Sequence, residues 1–242
     1  MQPTRSSLEH ALAEHGLRLR GGWIPTPRDV LPAMPGDGAP AVVWMVGQVG
    51  SECWGAFSGS AFLTDGRPNP MDRWSQSIGD GLAQAYGGIA IYPSDGPPYA
   101  PFQQWAERAE PLRASPLMLQ IDPRYGLWHA CRFALALPTL DPQDAASIAQ
   151  GASVAPADLC RSCDGRPCLS ACPVQAFSPR GYDVARCAAH LHADAGQDCV
   201  QHSCLARRAC PVGVAYRYTQ PHAAFHMAAF TASHGGSGNR HR

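Results

Sequence analysis

Cysteines are the residues of this chain best placed to do chemistry. Eight of its ten cysteines fall between Cys160 and Cys210. The first run reads Cys160-Arg-Ser-Cys163-Asp-Gly-Arg-Pro-Cys168-Leu-Ser-Ala-Cys172-Pro173. A second ends in Cys199, Cys204 and Cys210-Pro211, with Cys187 between the two. A cubane iron–sulfur cluster takes four Cys thiolates, one per iron. Eight thiolates in two groups, each closed by Cys-Pro, match the demand of two [4Fe–4S] clusters.

The spacing also suggests which thiolates go together. Three close cysteines wrap one cluster, and the fourth of such a run reaches the other cluster in two-cluster proteins. Pro after that fourth cysteine starts a new segment, because it cannot continue the preceding backbone ladder. By this logic one cluster is expected on Cys160, Cys163, Cys168 and Cys210, and the other on Cys172, Cys187, Cys199 and Cys204. The bacterial run is C-x2-C-x2-C-x3-C-P. Here the second gap is four residues, Asp164 to Pro167, with Gly165 available for a bend. The second run is looser, with gaps of four and five residues.

Two other chemistries compete. Structural zinc also uses four cysteines but favours paired C-x2-C knuckles, and the region holds one such pair, Cys160 and Cys163. A disulfide framework needs an oxidising compartment. Met1 to Arg20 lacks the apolar stretch of a secretory signal, and no run approaches the length of a membrane span. A cytoplasmic protein with reduced thiols is the expectation. The 242 residues carry 19 basic and 19 acidic side chains, every basic one an arginine. A formal charge of zero does not favour a polyanionic partner, so nucleic acid is not expected. Arg161, Arg166, Arg180, Arg207 and Arg208 keep an RNA contact as a weaker alternative.

The elements that must position these residues read as an α+β chain. Ser7 is expected to cap a helix through Leu8, Ala11, Leu12 and Leu19 that ends near Gly21-Gly22, followed by a Pro/Gly-rich arm from Gly22 to Pro40. Ala41 to Val46 is a continuous apolar run, expected as a buried strand. Pro70 opens a helix with Met71, Trp74, Ile78, Leu82 and Ala85 at helical spacing. Ile89 to Tyr92 is a short strand, Phe102 to Ala109 a helix stopped by Pro111. Leu117 to Ile121 and Ala130 to Leu137 are expected as two strands joined through Asp122-Pro123-Arg124-Tyr125-Gly126. The expected domains are an N-terminal helix and arm (1–40), an α+β domain (41–138), a linker (139–158), the cysteine domain (159–220) and a tail (221–242). Residues 235–242, small and polar, are expected to be disordered.

The cysteine region resembles the C-terminal two-cluster ferredoxin module of epoxyqueuosine reductases and corrinoid reductive dehalogenases. Upstream, Asn69-Pro70-Met71-Asp72-Arg73-Trp74 and Ile121 to Arg132 are similar to segments of CblC-type cobalamin-processing proteins, with Asp122 where that pattern has His. The resemblance implies a nitroreductase-like α+β sandwich followed by a bacterial-ferredoxin-like domain. It implies single-electron transfer through two [4Fe–4S] clusters to a cobalamin, or alternatively FMN, in the upstream domain, and a redox partner protein.

On this reading Gly126 lets the backbone approach a flat ligand beside Trp128, and Arg73 and Arg132 hold its polar groups. The bland alternative makes Trp74 and Trp128 core aromatics and pairs the arginines with Asp72 and Asp122. The Asp-x-His-x-x-Gly motif of His-ligated cobalamin enzymes is absent, so no lower cobalt ligand is named. The competing functional reading is a non-enzymatic electron carrier or assembly partner with a cofactor-free upstream scaffold.

Overall fold

The computed structural model describes residues 4–151 and 158–234. The chain divides into two compact units: Met1–Leu112 with His129–Pro156, and Arg113–Trp128 with Ala157–Arg242. Among the described residues there are eight strands: β1 (Arg18–Trp23), β2 (Val42–Val49), β3 (Ile89–Ile91), β4 (Arg113–Ala114), β5 (Gln120–Ile121), β6 (His129–Leu137), β7 (Phe177–Ser178) and β8 (Gly181–Tyr182). The protein is mixed α+β with small antiparallel sheets.

The first unit is built on a four-stranded sheet in the order β1-β2-β6-β3. All eight residues of β2 are buried, as expected of a central strand covered on both faces. It pairs antiparallel with β1 and β6, with Val43 opposite Ala136 and Met45 opposite Ala134. Those four residues join Trp23, Ile91, Trp105 and Leu112 in one core cluster. The helix Pro70–Tyr86 packs on β6 and β3. It buries Met71, Trp74, Ile78 and Ala83 and ends at a left-handed Gly87, the usual stop for a helix C-terminus. The helix Phe102–Ala109 buries Trp105 and Ala106.

Three local expectations change. The N-terminal helix spans Arg5–Ala13 and is capped by Thr4, not Ser7, and Leu19 and Gly21-Gly22, expected at its end, lie on β1 instead. Ser7 is the third helical residue, and the two side chains satisfy each other's backbone N–H groups in a capping box. The arm begins as β1 and continues irregularly, and most of the expected linker that is described is a helix, Pro142–Gly151. Residues 152–157 of that linker, and the tail 235–242, lie outside the described residues. Finally, β5 and β6 are not a hairpin pair. β5 pairs with β4 in the second unit, and β6 belongs to the sheet of the first. The expected 41–138 domain therefore loses residues 113–128 to the cysteine unit.

The second unit surrounds its cysteines with short elements. Residues Leu117, Ile121 and Leu127 pack with Cys172, Ala176, Ala206 and Cys210. The helix Gln220–Ser233 packs chiefly on the helix Gln197–His202. Its buried His222 stacks on Tyr218 at 4.1 Å. Among the described residues no helix is long and apolar enough to cross a membrane.

The irregular arm of the first unit is pinned by Asp29. Its Oδ2 accepts from Thr26 N at 2.7 Å and Thr26 Oγ1 at 3.0 Å, and its carboxylate pairs with Arg108, whose guanidinium lies over Trp23. The bond to Arg108, then that to Thr26 N–H, hold the Asp29 carboxyl at about 2 against an ordinary 3.8. A depressed carboxyl contributes stability above its ordinary value and loses it as pH falls through the folded value. Asp29→Asn should cost about 1 kcal/mol or less at pH 7. In urea denaturation the gap between variant and parent should close as pH drops from 3.8 to about 2. A gap that persists below that range would contradict this role for Asp29.

Candidate metal centre

The first cysteine run is shaped by turns. Asp158 Oδ1 accepts from Arg161 N at 3.1 Å, closing the loop that carries Cys160 and Cys163. Gly165 and Arg166 take left-handed backbone angles of 61° and 40° in φ and reverse the chain. The short helix Pro167–Ser170 then presents Cys168, with Pro at its start where the missing N–H costs nothing. Cys160, Cys163, Cys168 and Cys210 together line one concavity of about 320 Å³, open to solvent, with Pro116, Ile121, Arg166 and Val212 on its walls. These are the four cysteines expected to share a cluster.

The other four sit on the elements that follow. Cys172 Sγ accepts from Ala176 N at 3.3 Å. Cys187 is on the helix Val184–His192, whose N-terminus Asp183 caps by accepting from Arg186 N at 2.9 Å. Cys199 is on the helix Gln197–His202, and Cys204 caps the helix Leu205–Arg208. All ten cysteines are free thiols.

The electrostatics separate the eight thiols into the same two sets. Burial is the leading cause that pushes up Cys160, Cys168, Cys187, Cys199 and Cys204. Neighbouring thiols add to it. Cys160 is raised further by Cys210, Cys168 and Cys163, and Cys168 by Cys210 and Cys163. In the other set Cys187 is raised by Cys172, Cys199 by Cys187, and Cys204 by Cys199 and Cys187. Tyr182, hydrogen-bonded to Cys187, is raised by burial first and then by Cys187, Cys204 and Cys172. None of these couplings crosses from one set to the other, although Cys168 and Cys172 are one helical turn apart in sequence.

Among the described residues no group of three or more His, Cys, Asp or Glu converges on a single-ion position. That is the geometry of a mononuclear site, whose ligands meet at one point. The thiolates of a cubane bind four different irons and surround a volume instead.

The four residues expected upstream are engaged otherwise. Arg73 grips Asp65 through both terminal nitrogens, at 2.6 and 2.7 Å, and donates to the carbonyls of Pro68, Phe62 and Arg67, so it closes the 62–68 loop. Its partner is Asp65 and not Asp72. Arg132 Nε donates to Gln48 Oε1 at 2.9 Å, an oxygen that also accepts from Cys53 Sγ. Both arginines belong to the first unit, whereas Gly126 and Trp128 belong to the second.

There Gly126 sits against the backbone after Cys210. A Cβ at Gly126 would lie 2.0 Å from Val212 O, and one at Gly213 would lie 2.2 Å from Tyr125 O. Asp122 supports the approach: its Oδ1 accepts from Arg124 N and Tyr125 N, and its backbone exchanges two 2.9 Å bonds with Gly126. Trp128 is buried, as is Trp74.

Arg207, between Cys204 and Cys210, lies over the rings of Trp128 and Tyr218 at 4.4 and 4.6 Å and donates twice to Leu127 O. Tyr216 meets Tyr125 edge-on at 4.9 Å and accepts from Arg124 Nε. The segment 113–128 is thus a wall of the cysteine unit. Tyr182, Tyr216 and Tyr218 were not singled out from sequence, and Arg207 only as one of an arginine patch. The one signal for them is the dense Arg/Tyr composition directly around Cys204 and Cys210-Pro211. In comparisons with known proteins, no family model and no curated protein matches the chain.

Gly126→Ala has neither the space nor the backbone freedom for a Cβ, with φ at +60°. Left-handed strain alone costs about 1–3 kcal/mol for a non-Gly residue. The variant should lower the unfolding temperature of the cysteine unit and loosen the 211–213 loop in hydrogen exchange. Unchanged protection at Val212 and Gly213 would refute the close-approach role.

Proposed function

We propose that this chain is an iron–sulfur electron-transfer protein with two [4Fe–4S] clusters. One is held by Cys160, Cys163, Cys168 and Cys210, the other by Cys172, Cys187, Cys199 and Cys204. The observation that carries this reading is the separation of the eight thiols into two quartets, the first around one concavity. The residues fit the group. The thiols are unbridged, and burial pushes up the pKa of Cys160, Cys168, Cys187, Cys199 and Cys204, so a positive centre would hold these as thiolates. Trp128 Nε1, His190 Nε2 and Arg208 Nε are buried without a hydrogen-bond partner among the described residues. Such groups are available to cluster sulfur. The clusters would supply reversible single-electron transfer at potentials tuned by hydrogen bonds and exposure. The chain's own part is to supply thiolates, to exclude water with Leu117, Ile121 and Leu127, and to donate N–H groups such as Ala176 N to sulfur.

The upstream fold is proposed as the nitroreductase-like scaffold that the resemblance implies, and the cysteine unit as the ferredoxin-like module. For a corrinoid or flavin the expected residues do not assemble a site within either unit, and no electron-transfer step to such a group follows from them. Their occupation by Asp65, Gln48, Val212 and Arg207 favours the carrier reading, in which the first unit is a scaffold.

Protein purified without oxygen should be brown, with about eight irons per chain, since each cubane holds about four. Cys163→Ser and Cys187→Ser should each remove one cluster and halve the iron. Near-stoichiometric zinc without iron would overturn the proposal.

A further inference from the structure

We infer that the mouth of the first quartet is the docking surface for an acidic one-electron carrier protein; this rests on the iron–sulfur reading above and adds the place and chemistry of the partner. Among the described residues, the exposed large hydrophobic side chains of the second unit are Met118, Leu119 and Val214, at 51%, 42% and 47% exposure. All three lie on the two chain segments that wall the concavity, through Pro116 and Ile121 on one side and Pro211 and Val212 on the other. The tip that carries Met118 and Leu119 has a fixed shape. Ser115 N donates to Leu119 O at 2.8 Å, and Met118 N to Ser115 O at 3.1 Å. Met118 itself stands in the left-handed region with φ at 59°. A side chain held there and exposed, on the rim of a redox centre, is an apolar contact waiting for a partner.

The charge around it selects that partner. The chain as a whole is neutral, yet the second unit holds eleven arginines against six aspartates, a net of +5. Two cluster cores with four thiolates each would together carry about −4, so the unit's own balance falls close to neutral and the positive charge that matters is that of the exposed arginines on the segments around the mouth. On the segments that wall the concavity, Arg113, Arg124, Arg161, Arg166 and Arg217 are exposed, against Asp158 and Asp164. A small apolar contact inside an arginine rim suits a transient redox encounter, which buries less than about 1,200 Å² and is steered by opposite charge. RNA is the other polyanion, but phosphate contacts alone do not use an exposed Met-Leu tip. In the encounter the reduced carrier gives up one electron and the first quartet's centre gains it, with no bond made or broken.

The test is stopped-flow reduction of the anaerobic holoprotein by a photoreduced plant-type [2Fe–2S] ferredoxin, an acidic carrier, with dithionite as the small-molecule control. The rate constant should fall steeply with salt. Met118→Glu/Leu119→Glu, and separately Arg161→Glu, should slow it by about tenfold or more, at unchanged iron content and unchanged dithionite rate. Equal ferredoxin rates in parent and variants would overturn the docking surface, as would a salt-independent rate. So would RNA retention that depends on the same residues while the ferredoxin rate does not. A parent protein that dithionite fails to bleach would instead sink the iron–sulfur reading itself, which keeps the two failures apart.

Discussion

Two cysteines, Cys172 and Cys210, cross between the runs they belong to in sequence. Cys172 closes the first run but couples to Cys187 and Tyr182, while Cys210 closes the second run and lines the concavity of the first. Each quartet therefore needs chain from both runs, and neither can form while the other half is undone. That exchange sets the short elements between them. Cys168, on the four-residue helix Pro167–Ser170, lines the concavity while Cys172 just after it couples to Cys187, and Cys210, after the helix Leu205–Arg208, lines the concavity while Cys204 before it couples to Cys187 and Cys199. Few apolar residues are buried in this unit, and several of those that are touch a cysteine. On the proposed reading, the clusters would supply much of this unit's folding free energy.

The wall that completes the unit comes from a distant stretch of chain. Residues 113–128 leave the first unit after Leu112 and return to it at His129. In between they are held by backbone contact of Gly126 with Val212, by the double bond from Arg207 to Leu127 O, and by Tyr125 on Tyr216. Arg207, between Cys204 and Cys210, ties that wall to the segment that carries both cysteines. The segment thus packs within the cysteine unit, with Trp128 buried under a guanidinium.

Legibility in the sequence followed the range of the interactions. The helix Pro70–Tyr86 and the strand β2 were readable because periodicity and a continuous apolar run report burial directly. The meeting of Cys160, Cys163, Cys168 and Cys210 at one concavity follows the grouping that their spacing suggests. What could not be read depended on partners far along the chain. Residues 120–121 look like one half of a hairpin with β6, yet Gln120 and Ile121 pair with Ala114 and Arg113. The Asp122 turn closes on itself through Gly126, so the chain leaves in a new direction. Arg73 found Asp65 and not Asp72, because an aspartate on the adjacent helical position points away from it, whereas the 62–68 loop folds back over its guanidinium. The cap moved from Ser7 to Thr4 because a capping box needs both residues and the sequence alone does not say which is outside the helix.

The central claim is the division of eight thiols into two cluster sites, and iron-edge anomalous diffraction from anaerobically grown crystals tests it most directly. The account predicts two separate iron peaks, one within bonding distance of Cys160, Cys163, Cys168 and Cys210 and the other of Cys172, Cys187, Cys199 and Cys204. A single peak, a zinc edge in place of iron, or a disulfide joining a cysteine of one quartet to a cysteine of the other would contradict it.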